Sequence, residues 1–298
     1  MKKIYDRIDE LPAGEASDKV IPGCMVIEGG AFRASFLSGA LDCLMLHDIN
    51  MQTTVGISAG ALCGLYYASG DIGVSGRVNL KYRHDRRWVG MAAVMREHGV
   101  LGYHYLFNCI KKEYPFNKKR FYHSGKEFYA GATNCNTAEL KFFSNRDKNM
   151  YAGIAASASM QVCSKMVDID GVPYLDGGCC CKIPLDWALE RGYDKILVVR
   201  SKERGYRKVN ISHRMEKIMY LRYPKLREAL LRADDDYNEL CEKIERLEKE
   251  GRIYVIYPLE PVEVKLLEKD MDKLGELYWR GYYDTEGQLE EIRDYLFG

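Results

Sequence analysis

Apolar residues arrive along this chain first as short runs and later as stripes of helical spacing. The run Cys24-Met25-Val26-Ile27 stops abruptly at Glu28-Gly29-Gly30, the pattern of a buried strand entering a turn. Leu37, Ala40, Leu41 and Leu44 then recur at helical spacing within residues 36–48, and Thr53-Thr54-Val55-Gly56-Ile57 is the next strand signal. Strand, helix and strand make a βαβ unit, the building block of a parallel sheet. The small-residue run from Ala59 to Tyr67 predicts a helix able to pack tightly on that sheet, and further strands are predicted over 127–133, 140–144 and 195–200. From about residue 201 the pattern changes. Residues 225–250 predict a charged amphipathic helix with Leu226, Leu230, Ala233, Tyr237, Leu240, Ile244 and Leu247 on one stripe. A strand over 252–257 and helices over 264–281 and 285–297 complete the expectation. The pattern describes an α/β sandwich with a mainly parallel central sheet and a helical C-terminal extension, divided into residues 1–205 and 206–298.

Composition narrows the possible functions. A hydrophobic content of 47% with 29% charged residues is ordinary for a folded globular chain, and 298 residues bury a substantial core. Lys and Arg number 44 against 43 Asp and Glu, so no global field draws the chain to nucleic acid or to an acidic membrane. Charges interrupt the apolar residues of the first ten positions, which leaves no signal-peptide core, and no run of about eighteen apolar residues occurs. Ten cysteines, three of them adjacent at Cys179, Cys180 and Cys181, suit reduced thiols better than a disulfide framework, which places the expectation in the cytoplasm. On a strand, three neighbouring thiols would point to alternating faces and make poor tetrahedral ligands, so no metal is expected. Lys118, Lys119 and Arg120 lie in a stretch that interleaves basic and aromatic residues, as a peripheral lipid-contacting surface would, although a solvated face with partly buried rings gives the same pattern.

Three segments could carry chemistry. Gly56-Ile57-Ser58-Ala59-Gly60 is a Gly-x-Ser-x-Gly pentapeptide between a predicted strand and a predicted helix. A nucleophile on such an elbow needs small residues on either side, and the following helix, beginning at Ala59, points free NH groups at developing oxyanion charge. The plainer alternative is a tight turn with Ser58 as N-cap. Glu28-Gly29-Gly30-Ala31-Phe32-Arg33 also joins strand to helix, and its paired glycines suit an anion cradle or a simple turn; the dinucleotide fingerprint would need further glycines at Ala31 and Ala34. Asp176, before Gly177-Gly178, is a carboxylate of a kind common in turns. A Ser-Asp-His triad would require a later histidine, and His213 is the only one; it sits in a polar helix start and reads as an exposed residue.

Together, and in this order, these three segments resemble the patatin-like phospholipases over residues 24 to about 200. The resemblance implies a three-layer patatin-like sandwich, Ser58 as nucleophile, Asp176 as general base without histidine, and an oxyanion hole from NH groups around Gly29, Gly30 and Ala31, with Arg33 supporting that loop. The tail, with Tyr223-Pro224-Lys225 and Gly251-Arg252-Ile253-Tyr254-Val255-Ile256, resembles the C-terminal extension of a bacterial subgroup. Ala31 and Ala34 depart from glycines usual in the first motif, Gln161 stands where proline is common, and Cys181 where an acid or amide often follows Asp-Gly-Gly. The expected activity is hydrolysis of a lipid carboxylic ester with no cofactor. An acyltransferase and a non-catalytic binding protein of the same fold are the alternatives.

Overall fold

The apolar runs at 24–27 and 53–57 become strands covered on both faces, which is why they do not alternate with polar residues. In the computed structural model, which describes residues 3–97, 99, 101–123, 125–209 and 214–298, eight strands form one sheet. They are β1 (Ile21–Ile27), β2 (Met51–Ile57), β3 (Glu127–Asn134), β4 (Leu140–Ser144), β5 (Val167–Ile169), β6 (Val172–Asp176), β7 (Ile196–Val199) and β8 (Tyr254–Ile256). Strands β8, β7, β1, β2 and β3 run parallel in that order, while β4 and β6 pair antiparallel with β3 and β5 with β6. The sheet is therefore mainly parallel.

Strand alternation sorts the core into two layers. Met25 and Ile27 of β1 with Leu197 and Val199 of β7 face α1 (Ala34–Leu46) and α2 (Ala59–Ser69). Cys24, Val26, Ile196 and Val198 face the other way, onto Trp187 and onto Tyr237, Cys241 and Ile244 of α3 (Pro224–Lys249). Its amphipathic stripe is thus spent on the sheet. The last two helices of the chain, α4 (Met271–Glu286) and α5 (Leu289–Phe297), return to the first face. Helices α1 and α4 touch backbone to backbone: a Cβ on Gly39 would strike the carbonyl oxygen of Tyr278, and one on Gly281 that of Phe36.

Several boundaries differ from the sequence expectation. The helix expected over 264–281 begins at Met271, because the Asp270 side chain caps the NH groups of Asp272 and Lys273, and 264–270 is loop. The last helix starts at Leu289. Asp176 ends a strand instead of sitting in an isolated turn, and Gly177–Cys179 form a short 3-10 turn, so the strand geometry assumed for the three cysteines does not apply. Of the basic stretch, Lys118 and Lys119 are exposed, but Arg120 turns inward to Asp18 at 2.6 Å and to the carbonyl of Ala16, and Phe116 and Phe121 are buried. His213 lies outside the described residues. Among those residues, no helix is long and apolar enough to cross a membrane.

Candidate active site

Strand β3 aligns the two chemical residues. Gly131 pairs with Ile57 of β2 on one edge and Phe142 of β4 on the other, and the next residue, Ala132, pairs with Asp176 of β6 and Lys141 of β4. Since β4 keeps one edge throughout, β2 and β6 share the other and run towards each other, ending at adjacent registers. Ser58, the residue after Ile57, is thereby brought beside Asp176. Its Oγ donates to Asp176 Oδ2 at 2.7 Å.

The elbow that presents Ser58 is sterically exacting. Ser58 has φ +56° and ψ −126°, a left-handed conformation costly for any residue with a Cβ. A Cβ on Gly56 would lie 2.5 Å from the Gly60 carbonyl oxygen, and one on Gly60 would lie 2.5 Å from that of Glu28 and 2.6 Å from that of Ile27. Both glycines are thus required by backbone approach. The Ser58 side chain makes no N-cap hydrogen bond to α2, which sets the plainer reading aside, and its own NH donates to Ser157 Oγ at 2.9 Å. Ser157 carried no recognisable sequence signal.

Asp176 is held as firmly. Oδ1 accepts from the Gly178 NH at 2.7 Å, the Asp176 NH donates to the Ser159 carbonyl at 2.9 Å, and Thr133 Oγ1 donates to the Asp176 carbonyl at 2.9 Å. Burial pushes the carboxyl up to about 6, against the hydrogen bonds from Ser58 and Gly178 and the positive charge of Lys182, which hold it down. Among the described residues no histidine hydrogen-bonds to either side chain.

The 28–33 loop lies against this pair, and its NH groups are not equivalent. Gly29 donates to the Lys182 carbonyl at 3.0 Å, so it is not a free oxyanion donor as expected; its role is close approach, since a Cβ there would lie 3.1 Å from that of Ser58. Phe32 and Arg33 donate to the carbonyls of Leu266 and Gly30. That leaves the NH groups of Gly30 and Ala31 without a backbone acceptor among the described residues, joined by the NH of Ala59 at the head of α2. Ala31 has φ +48°, so an alanine occupies a conformation that glycine tolerates at no steric cost. Among the described residues the Arg33 side chain makes no hydrogen bond back to the loop; it lines a chamber beside Ser58, and its Nε is sealed from solvent with no partner.

Behind the loop, Glu28 is 1% exposed and fully engaged. It accepts from the Ser201 NH at 2.6 Å and from the Tyr237 hydroxyl at 2.7 Å, and Arg200 Nε stands 3.7 Å away. Arg200, itself 0% exposed, donates to that same tyrosine hydroxyl at 2.7 Å. The extension therefore reaches the loop through α3. No sequence feature tied Tyr237 to Glu28.

Two cavities meet at Ser58. One, about 640 Å³ with its open mouth included, is apolar and walled by Phe32, Leu62, Tyr66, Val78, Trp88 and Leu106. The other is polar and contains Arg33, Gln161, Asp176 and Lys182. A hydroxyl bonded to a buried carboxylate, free NH groups beside it and an apolar pocket are together able to accept an acyl group on serine.

The model of the patatin-like phospholipases matches residues 25–189, and that of a domain of unknown function, DUF6363, matches residues 223–297. The uncharacterized protein YjjU of Escherichia coli (strain K12) is 26% identical over 279 residues, covering 89% of this chain and 78% of that protein. Among solved structures, VipD from Legionella pneumophila is 11% identical and covers 98% of this chain and 71% of that one, with a TM-score of 0.48. The first of these matches spans more than half of the chain and brackets both Ser58 and Asp176: the chain belongs to the patatin-like phospholipase family.

Proposed function

We propose that the protein is a lipid acyl hydrolase of phospholipase A or lysophospholipase type, acting through a Ser58–Asp176 dyad. The observation that carries this reading is the 2.7 Å hydrogen bond from Ser58 Oγ to a carboxylate buried at the end of β6. Ser58 Oγ attacks the ester carbonyl as its proton passes to Asp176. The negative charge that develops on the carbonyl oxygen meets the NH groups of Gly30, Ala31 and Ala59. Collapse returns the proton from Asp176 to the leaving alcohol and leaves an acyl-Ser58. Water then repeats the sequence, giving its proton to Asp176 and its hydroxyl to the acyl carbon, and Ser58 regains a proton as the acid departs. The acyl chain occupies the apolar cavity.

A fluorophosphonate probe tests this directly, because labelling requires an activated serine. Peptide mapping is expected to find one label per chain, on Ser58, absent in Ser58→Ala. A folded sample that hydrolyses esters yet carries the label elsewhere, or none, overturns the assignment.

A further inference from the structure

We infer that Tyr237 of the extension is a positioning residue for catalysis: through the Glu28 carboxylate its hydroxyl holds the 28–33 loop so that the Gly30 and Ala31 NH groups meet the oxyanion formed at Ser58. The inference rests on the acyl-hydrolase reading and adds to it a task for residues 206–298.

The loop has to be held in place. Ala31 sits at φ +48°, a conformation that persists only where the surroundings impose it. At the far end of the loop the Phe32 NH donates to the Leu266 carbonyl at 3.2 Å, and Leu266 belongs to the extension. At the near end the restraint is the Glu28 side chain. Its Oε2 accepts from the NH of Ser201 at 2.6 Å and from the hydroxyl of Ser201 at 3.1 Å, and its Oε1 accepts from the Tyr237 hydroxyl at 2.7 Å. Ser201 in turn backs onto the loop, since a Cβ on Gly30 would lie 2.7 Å from Ser201 Oγ. Tyrosine, carboxylate, serine and glycine are thus in series, and both ends of the loop are tied to the extension.

Tyr237 suits this task because its single proton has a fixed direction. Arg200 Nη2 donates to the hydroxyl at 2.7 Å, so the hydroxyl's own proton is aimed at Glu28. Burial and the adjacent carboxylate push the hydroxyl well above its ordinary range, which keeps it a donor at neutral and mildly alkaline pH. Among the described residues no other group donates to Glu28 Oε1. Phenylalanine at 237 therefore keeps the ring in the core layer and removes that donor alone. The buried acceptor left behind lowers stability whatever the loop does. A positioning role is identified kinetically, because the oxyanion exists in the transition state and not in the bound ester.

Hydrolysis of a water-soluble short-chain p-nitrophenyl ester is followed at pH 8 for wild type, Tyr237→Phe, Glu28→Gln and the double variant, with kcat taken per Ser58 labelled to completion by the fluorophosphonate. An alkyl trifluoromethyl ketone, whose hemiketal with Ser58 carries the oxyanion, serves as inhibitor. Tyr237→Phe is expected to lower kcat about tenfold or more, less than outright removal of an oxyanion donor, with KM unchanged and ketone affinity lowered by a similar factor. Glutamine at 28 has one carbonyl for three donors and is expected to act alike. Both variants break one link, so the double variant is expected to be slower than the slower single by no more than about twofold. A Tyr237→Phe protein that loses urea stability but keeps kcat and ketone affinity makes Tyr237 a packing residue and overturns the proposal. A raised KM at unchanged kcat overturns it too, as do losses that multiply in the double variant. If Tyr237→Phe does not fold, Glu28→Gln decides alone: kcat and ketone affinity falling together support the proposal, and an unaltered kcat overturns it. A wild type that neither cleaves the ester nor takes the label overturns the acyl-hydrolase reading itself, and the positioning role with it.

Discussion

Replacing Asp176 with Asn is expected to stabilise the protein at pH 7 while nearly abolishing its activity. The carboxyl is raised from an ordinary 3.8 to about 6, with burial as the largest cause. A tenfold change in proton affinity corresponds to about 1.4 kcal/mol, so ionising Asp176 inside the fold costs about 3 kcal/mol at pH 7. The sign follows from proton binding. Between pH 4 and 6 the folded state keeps a proton that the unfolded chain has released, so this group's contribution to stability falls by about 1.4 kcal/mol per pH unit and is fully lost above pH 6. Asparagine carries no charge and is free of that loss. It also has only one carbonyl oxygen to serve the two donors that Asp176 accepts, Ser58 Oγ and the Gly178 NH, each at 2.7 Å, and this mismatch costs about 1 kcal/mol. The net expectation is a variant about 2 kcal/mol more stable than wild type at pH 7 and slightly less stable at pH 4.

Equilibrium urea unfolding under reducing conditions, repeated from pH 4 to 7, reads this difference directly. A gap between the two proteins that stays flat with pH, or a variant that is the weaker one at pH 7, refutes a buried, strained carboxylate at this position. In the same samples kcat is expected to fall about a thousandfold or more, by analogy with the loss of a triad member. The wild-type rate should rise with pH through about 6 as the base ionises, mimicking a histidine, so mutagenesis and not the pH profile has to identify the base. His213→Ala is expected to leave the rate unchanged.

Ala31→Gly removes the penalty of a Cβ at φ +48° and, after the extra freedom it gives the unfolded chain, is expected to stabilise the fold by about 1 kcal/mol in the same urea assay. Arg200→Leu strands Glu28 as a buried charge and is expected to cost about 3–5 kcal/mol, with much of the loss recovered when Glu28→Leu is added. Lys118→Gln with Lys119→Gln is expected to weaken sedimentation with anionic vesicles while leaving hydrolysis of a soluble short-chain ester intact; Arg120 is left in place because it is tied to Asp18.

What was legible in the sequence is what local rules determine. The runs at 24–27 and 53–57 read as buried strands and are such, and the glycines around Ser58 mark an elbow because backbone carbonyls leave no room for a Cβ there. Features that depend on distant partners were not legible. Strand β6 is five residues long with a proline inside it, so no alternation announces it, and it exists because β3 runs on past the end of β2 and needs a partner. The Gly29 NH is consumed by a carbonyl at Lys182, and nothing near Gly29 signals that. Much of the apolar cavity comes from Val78, Trp88 and Leu106, in a stretch with no clear period.

The extension shows the same limit in a way that bears on function. Its stripe identified Tyr237 as a buried position, and burial was correct, but a stripe reports which face is apolar and is silent about what a hydroxyl on that face will bond. That hydroxyl bridges Glu28 and Arg200, two charges buried directly behind the loop whose Gly30 and Ala31 NH groups flank Ser58. Strand β8 pairs with β7 in the sheet, and α4 meets α1 backbone to backbone at Gly39 and Gly281. A segment that supplies a strand, a helix face and a polar ligand to the loop cannot be a passive appendage, because removing it would expose the apolar face of β1 and deprive Glu28 and Arg200 of the hydroxyl that hydrogen-bonds to both.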